Sequence, residues 1–477
     1  MHRAVALFCA LLIVGTGFAA HAQRGGPPPG ALAACEGKKA GDSCAFEDRG
    51  REIAGSCFVP PPGGLVCGPA GIGARGGQGM RQGMGQGRGM QRQGMGMQGG
   101  REPSQRGGGR PAAGFMGRGY SPNAPYAQAK RLSNRLTDTG QVTCFNTNGK
   151  DDCASALPGQ DAHYAGRPQA FEDRGDGTVF DPATGLTWQK VHNKKRLGFY
   201  SARRTCGSLS LGGRTDWRLP TIKELFSITH WQGATNRRPF LDGRVFDIEK
   251  PDASILQGDR FAATHDPGMM GQTWSATLYK GLHWDRPGVE AAFFFNFLDG
   301  RIKQAPTNGP MGLFYRCVAG AEWGRNHFSD NGDGTVSDGS TGLVWQQADD
   351  GQTRDWPGAL KYCEGLTLAG KDDWRLPNVK ELQSIVDYSR PEPAINRRFL
   401  KVADPKGWFW SSTTHGENPG FANYVCFGEC ISVDDVDVHG AGAQRSDPKT
   451  GNPARWGSMG GQRDQVRIMN YARCVRK

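Results

Sequence analysis

A fold of mixed strands and helices, built twice in tandem, is what this 477-residue sequence predicts, on three observations. First, Thr215-Asp216-Trp217-Arg218-Leu219-Pro220-Thr221-Ile222-Lys223-Glu224-Leu225 returns as Asp372-Asp373-Trp374-Arg375-Leu376-Pro377-Asn378-Val379-Lys380-Glu381-Leu382. Second, Asp176 and Asp333, Trp188 and Trp345, Cys206 and Cys363, and Cys317 and Cys474 are all offset by 157 positions. A period this long marks a duplicated domain-sized unit, because solenoid repeats run to roughly 20–50 residues. Third, each copy joins hairpin signals to a strong helix start. The copies differ in their middle segments, where Trp274-Ser275 answers to Trp410-Ser411 at an offset of 136.

Taken from its start, the chain opens with a secretory signature over residues 1–22. Arg3 precedes a short apolar run, and Ala20-His21-Ala22 forms a small-residue cleavage site. Nothing later in the chain is apolar enough to span a bilayer, so the expectation is export with no transmembrane segment in the mature chain. Export makes the twelve remaining cysteines readable as disulfides. Cys35, Cys44, Cys57 and Cys67 fall in a segment, 31–70, too small to bury a core, which predicts a stapled module with three open connectivities. A zinc site would show tighter cysteine pairs.

Residues 71–130 are glycine with Gln, Met and Arg. Such a composition predicts a disordered linker, and the glycine spacing excludes a collagen helix. Eight Arg and Lys130 face only Glu102 there, so the linker carries +8 of the chain's net +12. Any long-range pull on polyanions starts from the linker. Met80, Met84, Met90, Met95 and Met97 are soft ligands for Cu(I), but no His or carboxylate cluster joins them, and a flexible spacer is the simpler reading.

In each copy, Asp176-Gly177 or Asp333-Gly334 precedes β-branched residues and predicts a hairpin whose second strand carries Trp188 or Trp345. The acids Asp173, Asp176 and Asp181, with their counterparts Asp330, Asp333 and Asp338, are too sparse for a calcium loop and fit turns. Helices are expected over 201–209, with Cys206, and over 357–366, with Cys363. In the repeated stretch, Thr221 or Asn378 is placed to cap a further helix, with Glu224 or Glu381 completing a capping box. A closing strand holds Cys317 or Cys474. The shared separation of 111 predicts the pairs Cys206–Cys317 and Cys363–Cys474, leaving Cys144 with Cys153 and Cys426 with Cys430 as local bridges.

Together, Gly-Asp-Gly-Thr-Val, Thr-Gly-Leu-x-Trp-Gln, Cys-x-x-Leu, Asp-Trp-Arg-Leu-Pro with Lys-Glu-Leu, and a terminal Arg-Cys-Val resemble the Lcl C-terminal domain family, named for a collagen-like adhesin. The lead-in from Thr139 to Asp161 is similar to that family's N-terminal extension. The resemblance implies an α+β architecture of two tandem C-type-lectin-like domains, 137–321 and 323–477, with a surface or secreted binding role. The family's namesake binds sulfated glycosaminoglycans.

Lys194, Lys195, Arg196, Arg203 and Arg204 are the ligand-binding candidates, with a solvated basic face as the plainer reading. Trp231, Trp274, Trp284, Trp408 and Trp410 have rings able to stack on sugars, although burial habits favour packing. Arg218 and Arg375 are expected to bond backbone. The Arg-Leu-Pro-Thr and Arg-Cys-Val stretches also resemble the formylglycine-generating enzymes, whose chemistry needs reactive cysteines, while here the cysteines recur at scaffold positions. The reading is therefore a non-enzymatic adhesion protein without catalytic residues, metal or cofactor. Its partner would be a glycan, a polyanion or an envelope protein.

Overall fold

The computed structural model describes residues 29–48, 51–58, 66–69, 126–147, 149–193, 195–234, 239–248, 271–310 and 312–477. The expected signal peptide, most of the linker, and Lys194 lie outside them. The chain divides into two compact units, 1–106 and 107–477.

In the first unit a three-stranded antiparallel sheet (Ser43–Asp48, Arg51–Phe58, Val66–Pro69) packs with helix α1 (Pro29–Ala33). Its core is largely sulfur. Cys35 bonds Cys57 and Cys44 bonds Cys67, which closes the connectivity that the sequence left open.

The second unit holds both copies. The first contributes a five-stranded sheet that includes Thr178–Asp181, Leu186–Gln189 and Val318–Ala319; the second, a four-stranded sheet that includes Thr335–Asp338, Val344–Gln346 and Val475–Arg476. Each copy adds an antiparallel three-stranded meander: Gln272–Leu278, Ala291–Asn296 and Arg301–Pro306 in one, Trp408–Thr414, Phe421–Cys426 and Gln444–Pro448 in the other. The indole of Trp274 donates to Leu197 O and that of Trp410 to Arg354 O, each at 2.9 Å. These two carbonyls are themselves 157 positions apart, so the tryptophans occupy equivalent places.

Helices are few and short: α2 (Phe199–Gly207), α3 (Ile222–Ser227), α4 (Trp356–Glu364) and α5 (Val379–Ser384). Among the described residues the expected mix of strands and helices is therefore mostly sheet with few helices. The apolar pattern after each capping box lasts little more than one turn before the chain leaves the helix at Ile228 or Ile385. Both capping boxes are closed. Thr221 Oγ1 accepts from Glu224 N while Thr221 N donates back to the Glu224 carboxylate at 2.8 Å, and Asn378 and Glu381 repeat the arrangement at 2.9 Å. The same glutamates bind Arg218 (2.6 and 2.7 Å) and Arg375 (both 2.6 Å) bidentately. The expected backbone role for these arginines is corrected to a carboxylate clamp, with one added bond from Arg218 to Gly320 O.

Cys206 bonds Cys317 and Cys363 bonds Cys474, tying α2 and α4 to the closing strands; Cys144–Cys153 and Cys426–Cys430 are the local bridges. The aspartates of the hairpin turns accept from nearby backbone and hydroxyl groups, as Asp176 does from Thr178 N at 2.9 Å and Asp333 from Thr335 N at 3.0 Å.

The two copies do not stand apart. One hydrophobic core runs through both, from Trp188 and Phe226 to Trp345 and Leu382. Two equivalent lysines cross between them. Lys223 Nζ donates to Ser384 O at 2.7 Å, at the C-terminus of α5, and Lys380 Nζ donates to Ser227 O at 2.8 Å, at the C-terminus of α3. Each ammonium satisfies a helix-end carbonyl of the other copy, where the helix dipole favours a cation. The lead-in segment straps the junction. Gln141 Nε2 donates to Trp231 O (3.1 Å) and to Thr414 O (2.8 Å), and Asp161 Oδ2 accepts from Thr139 Oγ1 (2.8 Å) and Thr413 Oγ1 (2.5 Å). Burial pushes the Asp161 carboxyl up to about 8 and the Lys380 ammonium down to about 7. Gly416 meets the first copy so closely that a Cβ there would lie 1.9 Å from Gly233 O.

Candidate functional site: a cleft between the two copies

The meanders of the two copies face each other across a cavity of about 890 Å³, within the range of ligand pockets. One wall comes from the strands Ala291–Asn296 and Arg301–Pro306 and the loop that carries Trp284. The other comes from the strand Gln444–Pro448 and the loops around Glu417 and Asp464. Neither copy makes the cleft alone.

Its walls carry both charges in pairs. Arg301 meets Glu417 at 2.8 Å across the junction, Lys303 meets Asp299 at 3.8 Å, and Arg445 pairs with Asp464. His439 Nε2 sits 2.8 Å from the same Asp464 carboxylate. Burial pushes the Asp299 carboxyl up, against the pull of Lys303 and Arg301. It pushes His415 well below the usual imidazole range, with Arg301 adding to the effect, and His439 down to about 3, with Arg445 adding to it. Burial alone would raise Asp464, but Arg445 and His439 hold it well below the usual carboxylate range. Both histidines are therefore neutral at pH 7.

Several polar atoms of these lining residues are buried and have no hydrogen-bond partner among the described residues: Asp299 Oδ1, Gln272 Oε1, Arg445 Nε and Nη1, and Trp284 Nε1. Asp299 is only 2 % exposed and Arg445 only 4 %. Leaving such a group unsatisfied costs about 1–3 kcal/mol. Aromatic surface frames it. Trp284, at φ 54, and Phe421 are half-buried in the lining, and Trp456, 40 % exposed, packs edge-on against Phe421 at 5.7 Å.

The structure brings only one of the sequence-chosen residues here, Trp284. Trp231, Trp274, Trp408 and Trp410 are core. Lys195, Arg203 and Arg204 are exposed on α2 and the loop before it, Arg196 is half-buried, and none of them lines the cleft. Asp299, Arg301, Lys303, Glu417, Arg445 and Asp464 were not singled out from sequence. They lie in the segments where the copies diverge, so no repeat signal marks them. A second cavity, of about 390 Å³, lies against Lys223 and Lys380. Those ammoniums already serve helix-end carbonyls, which makes that space part of the junction.

No helix among the described residues is long and apolar enough to cross a membrane. The family model described as Lcl C-terminal domain matches residues 177–319 and 334–445. No curated protein and no solved structure matches the chain.

Proposed function

The chain belongs to the Lcl C-terminal domain family, and from that premise we propose that it is an exported, non-enzymatic adhesin-like protein that holds a surface glycan in the cleft between its two copies. The observation that carries this reading is a cavity of ligand size, walled by both copies, whose charges are paired and whose lining holds the half-buried rings of Trp284 and Phe421. Six disulfides suit an oxidising compartment outside the cytosol. They also occupy all twelve described cysteines, which leaves the formylglycine-type alternative without a thiol among them. Docked as they are, the copies would act as one composite site, in place of the two-site avidity that a tandem array suggests.

The test is binding of the full exported chain to a panel of neutral oligosaccharides and heparin, for three proteins. The native chain and a Lys195→Ala/Arg203→Ala/Arg204→Ala variant are expected to bind alike, while Trp284→Ala loses about tenfold or more in affinity. Loss confined to the triple variant would move the site to the basic face of α2. No binding to any member of the panel would overturn the glycan reading and turn attention to an envelope protein partner.

A further inference from the structure

The chemical class of the guest follows from how the cleft disposes of its own charge. Resting on the reading above, we propose that the cleft selects a neutral, hydroxyl-rich oligosaccharide and rejects polyanions. Its three cations each face a carboxylate of the same cleft: Arg301 with Glu417, Lys303 with Asp299, Arg445 with Asp464. The formal charge of these six groups sums to zero, and the two nearby histidines, His415 and His439, are neutral. A sulfate or carboxylate entering here would meet Asp299 and Asp464 as like charges at close range.

The rest of the lining points the same way: Gln272, Gln304, Asn418 and Ser446 are neutral polar side chains that carry both donors and acceptors. A guest that both donates and accepts suits such a lining. Hydroxyl groups do both, whereas sulfate esters only accept. The half-buried Trp284 and Phe421 offer ring surface to the apolar face of a sugar. Because the cleft is balanced, binding should depend little on salt. A polyanion held by the linker's excess of arginine would instead weaken steeply as salt rises.

The proposal is tested on the full exported chain labelled with 5-fluorotryptophan, with the Trp284 fluorine resonance assigned through Trp284→Phe. Neutral oligosaccharides and heparin are titrated at about 50 mM and about 300 mM NaCl. The expected result is that a neutral oligosaccharide shifts the Trp284 resonance with an affinity changing less than about twofold between the two salts. Heparin should leave that resonance in place even if it binds elsewhere on the chain. In Glu417→Gln, which removes the partner of Arg301 at a partly exposed position, heparin should begin to shift the signal, and only at low salt. Heparin shifting the native resonance, with the effect lost at high salt, would overturn this inference while the cleft remained the binding site. No shift with any probe would remove both this inference and the cleft as the site.

Discussion

Replacing Cys363 and Cys474 together with alanine lowers the unfolding free energy of the 107–477 unit by about 4 kcal/mol, measured by denaturant titration of the oxidised chain. The bridge closes a loop of 111 residues, and a loop of that length releases the most chain entropy when it is opened. Both sulfurs are fully buried in the shared core, between α4 and the closing strand, so the alanines also leave a void there. Opening Cys426–Cys430, with a separation of 4, is expected to cost about half as much. Equal losses from the two bridges would contradict the assignment of the long one as the staple of the second copy.

Glu381→Ala is the second large effect, at about 3–5 kcal/mol. Arg375 and Glu381 are 2 % and 1 % exposed, so removing the carboxylate strands a buried guanidinium. The same change also removes the cap on Asn378 N and the bond from Asn134 Nδ2 at 2.9 Å. The equivalent Glu224→Ala should cost clearly less, because Arg218 has 30 % of its side chain in solvent and can rehydrate. Chemical unfolding of the two variants side by side decides the matter. A larger loss from Glu224→Ala would mean that the cap, and not the buried charge, dominates.

The contrast between these twin glutamates shows what could be read from sequence. The capping boxes were legible because Thr221 or Asn378, followed three residues later by a glutamate, is a local signal with a local cause. The long disulfides were legible because a duplicated separation constrains two pairs at once. Arg218 and Arg375 were misjudged because the glutamate that completes each box also reaches the arginine three residues before the cap, a fact of side-chain direction that spacing does not carry. The crossed lysines, Lys223 and Lys380, sit inside the repeated stretch but reveal themselves only when the copies are docked. The cleft was beyond reach for the same reason. Arg301 and Glu417 belong to segments that diverge between copies, and they meet only because the two meanders face one another. Lys195, Arg203 and Arg204, before and on α2, are exposed and belong to a run of charge, but such a run describes a surface and not a cavity.

A cleft walled by both copies exists only while they are docked as one body. Native-state hydrogen exchange under rising denaturant tests this most directly. The slowest amides of Ala291–Asn296 in the first copy and of Phe421–Cys426 in the second are predicted to converge on one opening free energy with one denaturant dependence. If one copy exchanges through its own opening while the other stays protected, the copies are independent domains, and the composite cleft is not the binding site.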